Sequence, residues 1–404
     1  MVLRNAYDAA AALVSSDELL RHTMELVRLP SYFGLPNQEQ RVSEYLAALF
    51  AAEGIEHEII ALGGGRYNIA ARLNGIGGGK TLMLNGHMDT VPPYGMDCAT
   101  DPVIVGDRVM GRGVSDMKGP LCAMAGALIA LKRSGVKLRG DLVFTGVADE
   151  EERSIGAVDL IKSGIKADGC IVGEPTGMKH IFNAQKGLEW FSFDFTGLTV
   201  HGASQDKGVN AILKAVEFIN VIESELRPKL DRRFLPAIGK STINIGVIKG
   251  GTQLSTVAGE CQVMLDRRFL PGLESYEGMT SELQSILDRL SAKDPDFTCR
   301  MSVVDNSVMC EGFVHTGFFT PPEHPLCKAA LGALTEVSGE NASFVPCRCW
   351  TDAGLFSHYA HIPSVIFGPG DMGSSHSVRE YLPIDELATA CKVYIRTAVD
   401  FCGE

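Results

Sequence analysis

Residues 81–92 read Thr81-Leu82-Met83-Leu84-Asn85-Gly86-His87-Met88-Asp89-Thr90-Val91-Pro92. The run from Thr81 to Leu84 is apolar, too short for a helix and preceded by Gly77-Gly78-Gly79, which predicts a buried strand. A histidine and an aspartate follow at once, so polar chemistry begins where the strand stops. Three more short apolar runs have the same form: Leu142 to Ala148, Gly169 to Val172 and Ser364 to Phe367. A helix over Leu121 to Lys132 separates the first two, and this strand–helix–strand alternation implies an α/β layer architecture. Upstream, Ser15-Ser16-Asp17-Glu18 reads as a capping box, and Leu19, Leu20, Leu26 and Val27 form the apolar stripe of the helix that follows. Asn37 is expected to cap the next helix, which carries Val42, Tyr45, Leu46, Leu49 and Phe50.

The polar stations at these strand ends carry the chemistry. In His87-x-Asp89 an imidazole suited to a divalent metal precedes a carboxylate able to hold the ring's other nitrogen. Alone, a packed histidine beside a solvated aspartate is the simpler reading. Gly111-Arg112-Gly113-Val114-Ser115-Asp116-Met117-Lys118-Gly119 resembles a dinucleotide fingerprint, but Asp116 occupies the third glycine position. A carboxylate there repels a pyrophosphate and could bridge two cations. In Asp149-Glu150-Glu151-Glu152, neighbouring side chains of an extended segment point opposite ways, so Glu150 could accept a proton while Glu151 serves as a ligand. Alone, a solvated acidic turn also accounts for that run. Gly173-Glu174-Pro175-Thr176 follows another strand, and Gly368-Pro369-Gly370 stands six residues before His376. Four of these stations lie just past the carboxyl ends of predicted strands, where open α/β sheets bind ligands. Together they supply His87, Asp116, Glu151, Glu174 and His376. Two imidazoles and three carboxylates suit zinc, cobalt or manganese. With Asp116 as bridge, each of two ions has one histidine and one further carboxylate, with room for a shared water.

Between about Asn183 and Val304 the pattern changes. Strands at Trp190 to Phe195, Ile243 to Ile248, Cys261 to Arg267 and Phe297 to Val304 accompany helices over Gly208 to Leu226 and Leu273 to Leu290. This order predicts a two-layer α+β unit at 183–305, inserted into a discontinuous domain made of 1–182 and 306–404. Composition fits that frame. A chain of 404 residues is long enough for two or three domains, and 37 Lys+Arg against 49 Asp+Glu give a net charge of −12, which disfavours nucleic acid and anionic membrane as partners. The 11 cysteines are odd in number and scattered, and no segment has the apolar length of a signal core or a membrane span; a cytoplasmic protein is expected. Gly75 to Thr81 is not a phosphate loop, because position 74 is Asn74 and the segment precedes a strand. No Gly-x-Ser-x-Gly elbow supplies a serine nucleophile.

The motifs from His87 to about Leu387, taken as a set, resemble the co-catalytic dinuclear metallopeptidase family of acetylornithine deacetylase, succinyl-diaminopimelate desuccinylase, aminoacylase and glutamate carboxypeptidase. The resemblance implies a zinc-peptidase-like catalytic domain, a mixed sheet flanked by helices, with an inserted lid and dimerisation domain. It implies two divalent ions per chain, zinc foremost and cobalt or manganese as alternatives, with His87 and Glu174 on one, Glu151 and His376 on the other, and Asp116 bridging. It assigns Asp89 to the support of His87 and Glu150 to the activation of a metal-bridging water as general base. Val200-His201-Gly202-Ala203 is similar to the family's lid motif and implies that His201 stabilises the oxyanion. Asp266-Arg267-Arg268-Phe269-Leu270-Pro271-Gly272 implies that Arg268 holds a substrate carboxylate. The family's activity leads us to expect hydrolysis of the amide bond of an N-acyl amino acid or small peptide-like substrate, with Ser255 and Gly370 on the substrate side and a homodimer formed through the lid. An amidohydrolase of another C–N bond, ureido or aryl-amine, is the alternative; a non-catalytic metal-binding relative is less consistent with an intact Glu150. Ser255 stands where relatives often carry Asn, Gln205 where the lid motif has proline, and Arg153 where glycine follows the Glu-Glu pair.

Overall fold

In a computed structural model the structure describes residues 2–339 and 341–403. The chain divides into two compact units, 1–184 with 318–404, and 185–317. The stretch 306–317, expected with the catalytic part, falls in the second unit. It runs beside the strand Gly187–Thr196: Leu188 N donates to His315 O at 2.9 Å and Ser307 Oγ to Glu189 Oε1 at 2.6 Å. Irregular chain with no apolar period carries no sequence signal for such long-range bonds.

The first unit is built on a nine-stranded sheet. Its strands are β1 (Glu56–Gly63), β2 (Arg66–Leu73), β3 (Leu82–His87), β4 (Leu142–Val147), β5 (Gly169–Val172), β6 (His180–Gln185), β7 (Phe318–Phe319), β8 (Ser343–Cys347) and β9 (Ser364–Ile366). The order is β1-β2-β4-β3-β5-β9-β6-β7, with β8 also paired to β6. β4, β3, β5 and β9 run parallel, and β1, β2 and β6 join antiparallel. Every residue of β3, β4 and β5 is buried, as their continuous apolar runs require. Inside, Asn85 Nδ2 donates to Thr145 Oγ1 at 2.9 Å. The register aligns His87 with Val147, and Asn85 and Ile366 each with Val172. The carboxyl ends of four parallel strands therefore share one edge of the sheet.

Helices α1 (Ser16–Val27), α2 (Gln40–Ala52), α3 (Lys118–Ser134), α4 (Ile155–Lys162), α5 (Pro325–Ser338), α6 (Ala353–Tyr359) and α7 (Ile384–Gly403) flank the sheet. α3 is buried over nearly its whole length and ends at Gly135 in the left-handed conformation, φ 70°. Phe50 of α2 meets Phe144 of β4 edge to face, ring centres 5.2 Å apart. Ser15 caps α1 as expected, its hydroxyl accepting the Glu18 N–H at 3.2 Å. Asn37 does not cap α2. It takes a positive φ of 53°, and the helix begins after Glu39, whose carboxylate is bound by Arg66. A tertiary ion pair has displaced the local cap.

The second unit carries the strand, helix, strand, strand, helix, strand order read from the sequence. Its antiparallel sheet runs Thr242–Gly250, Glu260–Phe269, Gly187–Thr196, Thr298–Val303. Phe191, Phe193 and Phe195 alternate onto one face, where Val263 and Leu265 join them. Helices Ala211–Val221 and Tyr276–Lys293 cover that face through Phe218, Leu283 and Leu287. Phe193 and Phe218 have ring centres 4.6 Å apart.

Asn68 joins the end of β4 to α4 in the first unit. Buried on β2, it accepts the Ala148 N–H at 3.0 Å and donates to Gly156 O at 2.9 Å. Asn68→Ala leaves the buried Ala148 N–H without its partner and should cost about 1–3 kcal/mol in urea unfolding; a loss within about 0.5 kcal/mol of zero would contradict this account.

Candidate metal centre and active site

The shared sheet edge gathers the expected residues of the first unit. His87, the last residue of β3, is almost completely buried; its Nε2 lies 3.0 Å from Asp116 Oδ1 and 3.6 Å from Glu174 Oε1. His376 Nε2 lies 3.2 Å from Asp116 Oδ2 and 3.1 Å from Glu151 Oε1. The two oxygens of Asp116 thus face two different imidazoles. His87, Asp116 and Glu151 each offer a ligand atom with all three within 4.8 Å of one another, and so do His87, Glu150 and Glu174.

The electrostatics of this cluster suit cations. Burial, then the Asp116 charge, raises the Glu174 carboxyl to about 8. Burial also pushes Glu150 well above its ordinary value, with the charges of Glu174, Asp352 and Glu151 adding to it, while His87 opposes. Glu151 is raised by burial and by Asp116. His376 is raised to about 11 by its bonds to Asp116 and Glu151. Burial works against the charged form of His87, yet Asp116 and Asp89 hold its pKa well above the usual range. Asp116 goes the other way: burial opposes its charge, and the two imidazoles outweigh burial. Crowded acids that resist ionisation beside imidazoles drawn toward the charged form make a set of donors that suits positive charge. The donors are nitrogen and carboxylate oxygen, the set suited to zinc, cobalt or manganese.

The supporting contacts refine the sequence reading. His87 Nδ1 is nearer the backbone oxygen of Asp89 (3.0 Å) than its carboxylate (3.5 Å). That carboxylate accepts the N–H groups of Glu150 at 3.2 Å and Glu151 at 3.1 Å. Asp89 therefore sets the acidic turn as well as the ring. Asp149, at φ 69°, turns the chain there; its carbonyl accepts from Glu152, Arg153 and Ser154, and its carboxylate pairs with Arg66 at 2.8 Å. The loops after β5 and β9 are stitched together, Thr176 N donating to Gly368 O at 2.9 Å and Gly177 N to Gly370 O at 2.8 Å. A Cβ on Gly368 would lie 2.1 Å from Gly173 O. Gly370, expected on the substrate side, is buried, and its N–H is committed to Glu386 Oε2 at 2.7 Å. Two buried carboxylates went unassigned in the sequence. Asp352 opens α6, and burial raises it to about 7. Glu380 grips the Asp116 loop; the acid four residues past His376 was the only hint of it.

His201, Ser255 and Arg268 belong to the second unit. Exposed His201 accepts the Ala203 N–H on Nδ1 at 3.1 Å, and Gly202 N donates to Ser255 O at 2.7 Å, so His201 and Ser255 are neighbours. Arg268 forks onto Asp266, with Nε 2.9 Å from Oδ1 and Nη2 3.0 Å from Oδ2.

Among the described residues, no helix is long and apolar enough to cross a membrane. Residues 83–400 match the model of peptidase family M20/M25/M40. The chain is similar to acetylornithine deacetylase of Myxococcus xanthus, 31% identical over 403 residues that cover 95% of this chain and 98% of that protein. It is similar to N-formyl-4-amino-5-aminomethyl-2-methylpyrimidine deformylase of Bacillus subtilis (strain 168), 27% identical over 83% of each chain. The aminopeptidase PepT from Bacillus cereus ATCC 10987 shares the fold, with a TM-score of 0.79 at 22% identity over 96% of this chain and 99% of that one. With a family match over most of its length, at the residues that build this cluster, the chain belongs to peptidase family M20/M25/M40 and is a hydrolase of amide or peptide bonds.

Proposed function

We propose that the protein is a two-metal hydrolase that cleaves the amide bond of an N-acyl amino acid or small peptide-like substrate bearing a carboxylate. The observation that carries this is Asp116 between two imidazoles, one oxygen toward each. His87 and Glu174 would hold one divalent ion, Glu151 and His376 the other, and Asp116 both. Zinc fits this donor set, as do cobalt and manganese. When bound, such ions lower the pKa of a water toward neutrality and polarise the scissile carbonyl.

The remaining steps belong to the chain. Glu150 is buried among acids that favour its protonated form, so a proton it takes from the attacking water is held and then passed to the leaving nitrogen. Asp89 keeps Glu150 and His87 in register by binding the backbone of one and facing the ring of the other. His201 donates to the developing oxyanion from Nε2, since Nδ1 is occupied as an acceptor. Arg268 receives the substrate carboxylate, its guanidinium oriented by Asp266. A homodimer forms through the second unit, whose edge strand Thr242–Gly250 exposes Ile248; sedimentation at twice the chain mass checks this. Eleven scattered cysteines, an odd number, suit a reducing cytoplasm.

A second reading is an amidohydrolase of another C–N bond. Ser255 beside His201 and the likeness to a deformylase favour it.

Three outcomes test the reading. A panel of N-acyl amino acids, formyl-amines and ureido compounds should include a substrate whose turnover stops with chelator and returns with zinc, cobalt or manganese; metal-independent turnover would refute it. Glu150→Ala should keep its metal yet lose roughly 10²–10⁴ in kcat, and full activity would sink the base assignment. Arg268→Ala should raise KM for carboxylate-bearing substrates with a smaller change in kcat; equal KM values would remove Arg268 from the substrate site.

A further inference from the structure

The two histidines of the site are held differently. His87 is buried, with Nδ1 fixed by Asp89. His376 has a half-exposed side chain and a positive φ of 62°, and among the described residues no hydrogen bond fixes its Nδ1. Its aim depends on the backbone that carries it, a turn closed by Ser374 and Ser377 and tied to the rest of the site by a buried ion pair.

Glu380 is completely buried and Arg112 nearly so, and they pair at 2.5 Å. Glu380 Oε1 accepts the N–H groups of Gly113 at 3.0 Å, Ser115 at 3.0 Å and Asp116 at 3.1 Å. Gly113, at φ 85°, supplies the left-handed turn that lets these donors converge on one oxygen. Arg112 donates to Ser377 O at 3.2 Å, to Pro92 O at 3.2 Å and to Pro93 O at 3.4 Å. One pair thus ties the residue after His376, the loop carrying Asp116 and the segment after Asp89. A carboxylate and a guanidinium removed from water are costly unless these bonds are made, which favours one joint arrangement of the three loops.

We propose that Arg112 and Glu380 are the positioning residues of the His376 half of the site, taking the part for His376 that Asp89 takes for His87. The inference rests on the two-metal reading above. It predicts an unequal effect: loosening the pair relaxes the shared Asp116 loop a little for both ions and frees His376 as well, while His87 keeps its own support.

The test is cobalt titration of the full chain, read by visible absorption and by chelator competition, for the wild type, Glu380→Gln, Arg112→Lys and the core control Leu334→Ala. Circular dichroism verifies folding, and Arg112→Lys decides if Glu380→Gln does not fold. The wild type should take two equivalents. Both pair variants should hold the tighter ion within about threefold and the weaker one at least about tenfold less tightly, the size of effect that supporting residues have on metal affinity. Leu334→Ala, buried in α5, should lower the melting temperature and leave both affinities alone. Unchanged affinities in the pair variants, or equal loss at both ions, would overturn the inference. A wild type that takes fewer than two equivalents would overturn the two-metal reading and this inference with it, a result distinct from wild-type binding in the variants.

Discussion

Asp116 stands between two imidazoles in a cluster where Glu174 and Asp89 are buried and Glu150 and Glu151 nearly so. That constraint orders the rest. A carboxylate taken from water needs compensation, and here two histidines supply it. The neighbouring Glu150, Glu151 and Glu174 are pushed toward their neutral forms by burial and by one another. The site holds more negative charge than its own surroundings stabilise. On the two-metal reading, divalent ions would meet this charge, and a base left partly uncompensated would keep its affinity for a proton.

The fold makes this crowding possible because the central strands are parallel. Their carboxyl ends meet at one edge, so residues far apart in sequence become neighbours without any one loop reaching far. The supporting bonds then run between loops: Asp89 to Glu150 and Glu151, Gly177 to Gly370, Arg112 to Ser377 and Glu380. Core strands set the coarse place of each group, and these cross-loop bonds set its aim.

The legible part of the sequence was the part with local signal. Buried parallel strands announce themselves as short apolar runs, and the polar residue that ends each run is already at the ligand edge. The alternation of Phe191, Phe193 and Phe195 likewise declared the sheet of the second unit. What escaped was decided by partners distant in sequence. Glu380 has no periodic context, and its meaning lies in an arginine far upstream. Asn37 lost its capping place because Arg66 organises Glu39. The second unit extends to Gly317 through bonds to the strand beginning at Gly187, which no composition change marks. The carboxylate of Asp89 faces His87 as expected, and its second task, holding the acidic turn, had no signal in the sequence.

The central claim is that Asp116 is shared by two ions. Anomalous diffraction from crystals loaded with zinc measures it directly. The account predicts two peaks about 3.5–4 Å apart, one on the His87 and Glu174 side of Asp116 and one on the Glu151 and His376 side. A single peak, or two peaks that do not share Asp116, would contradict it.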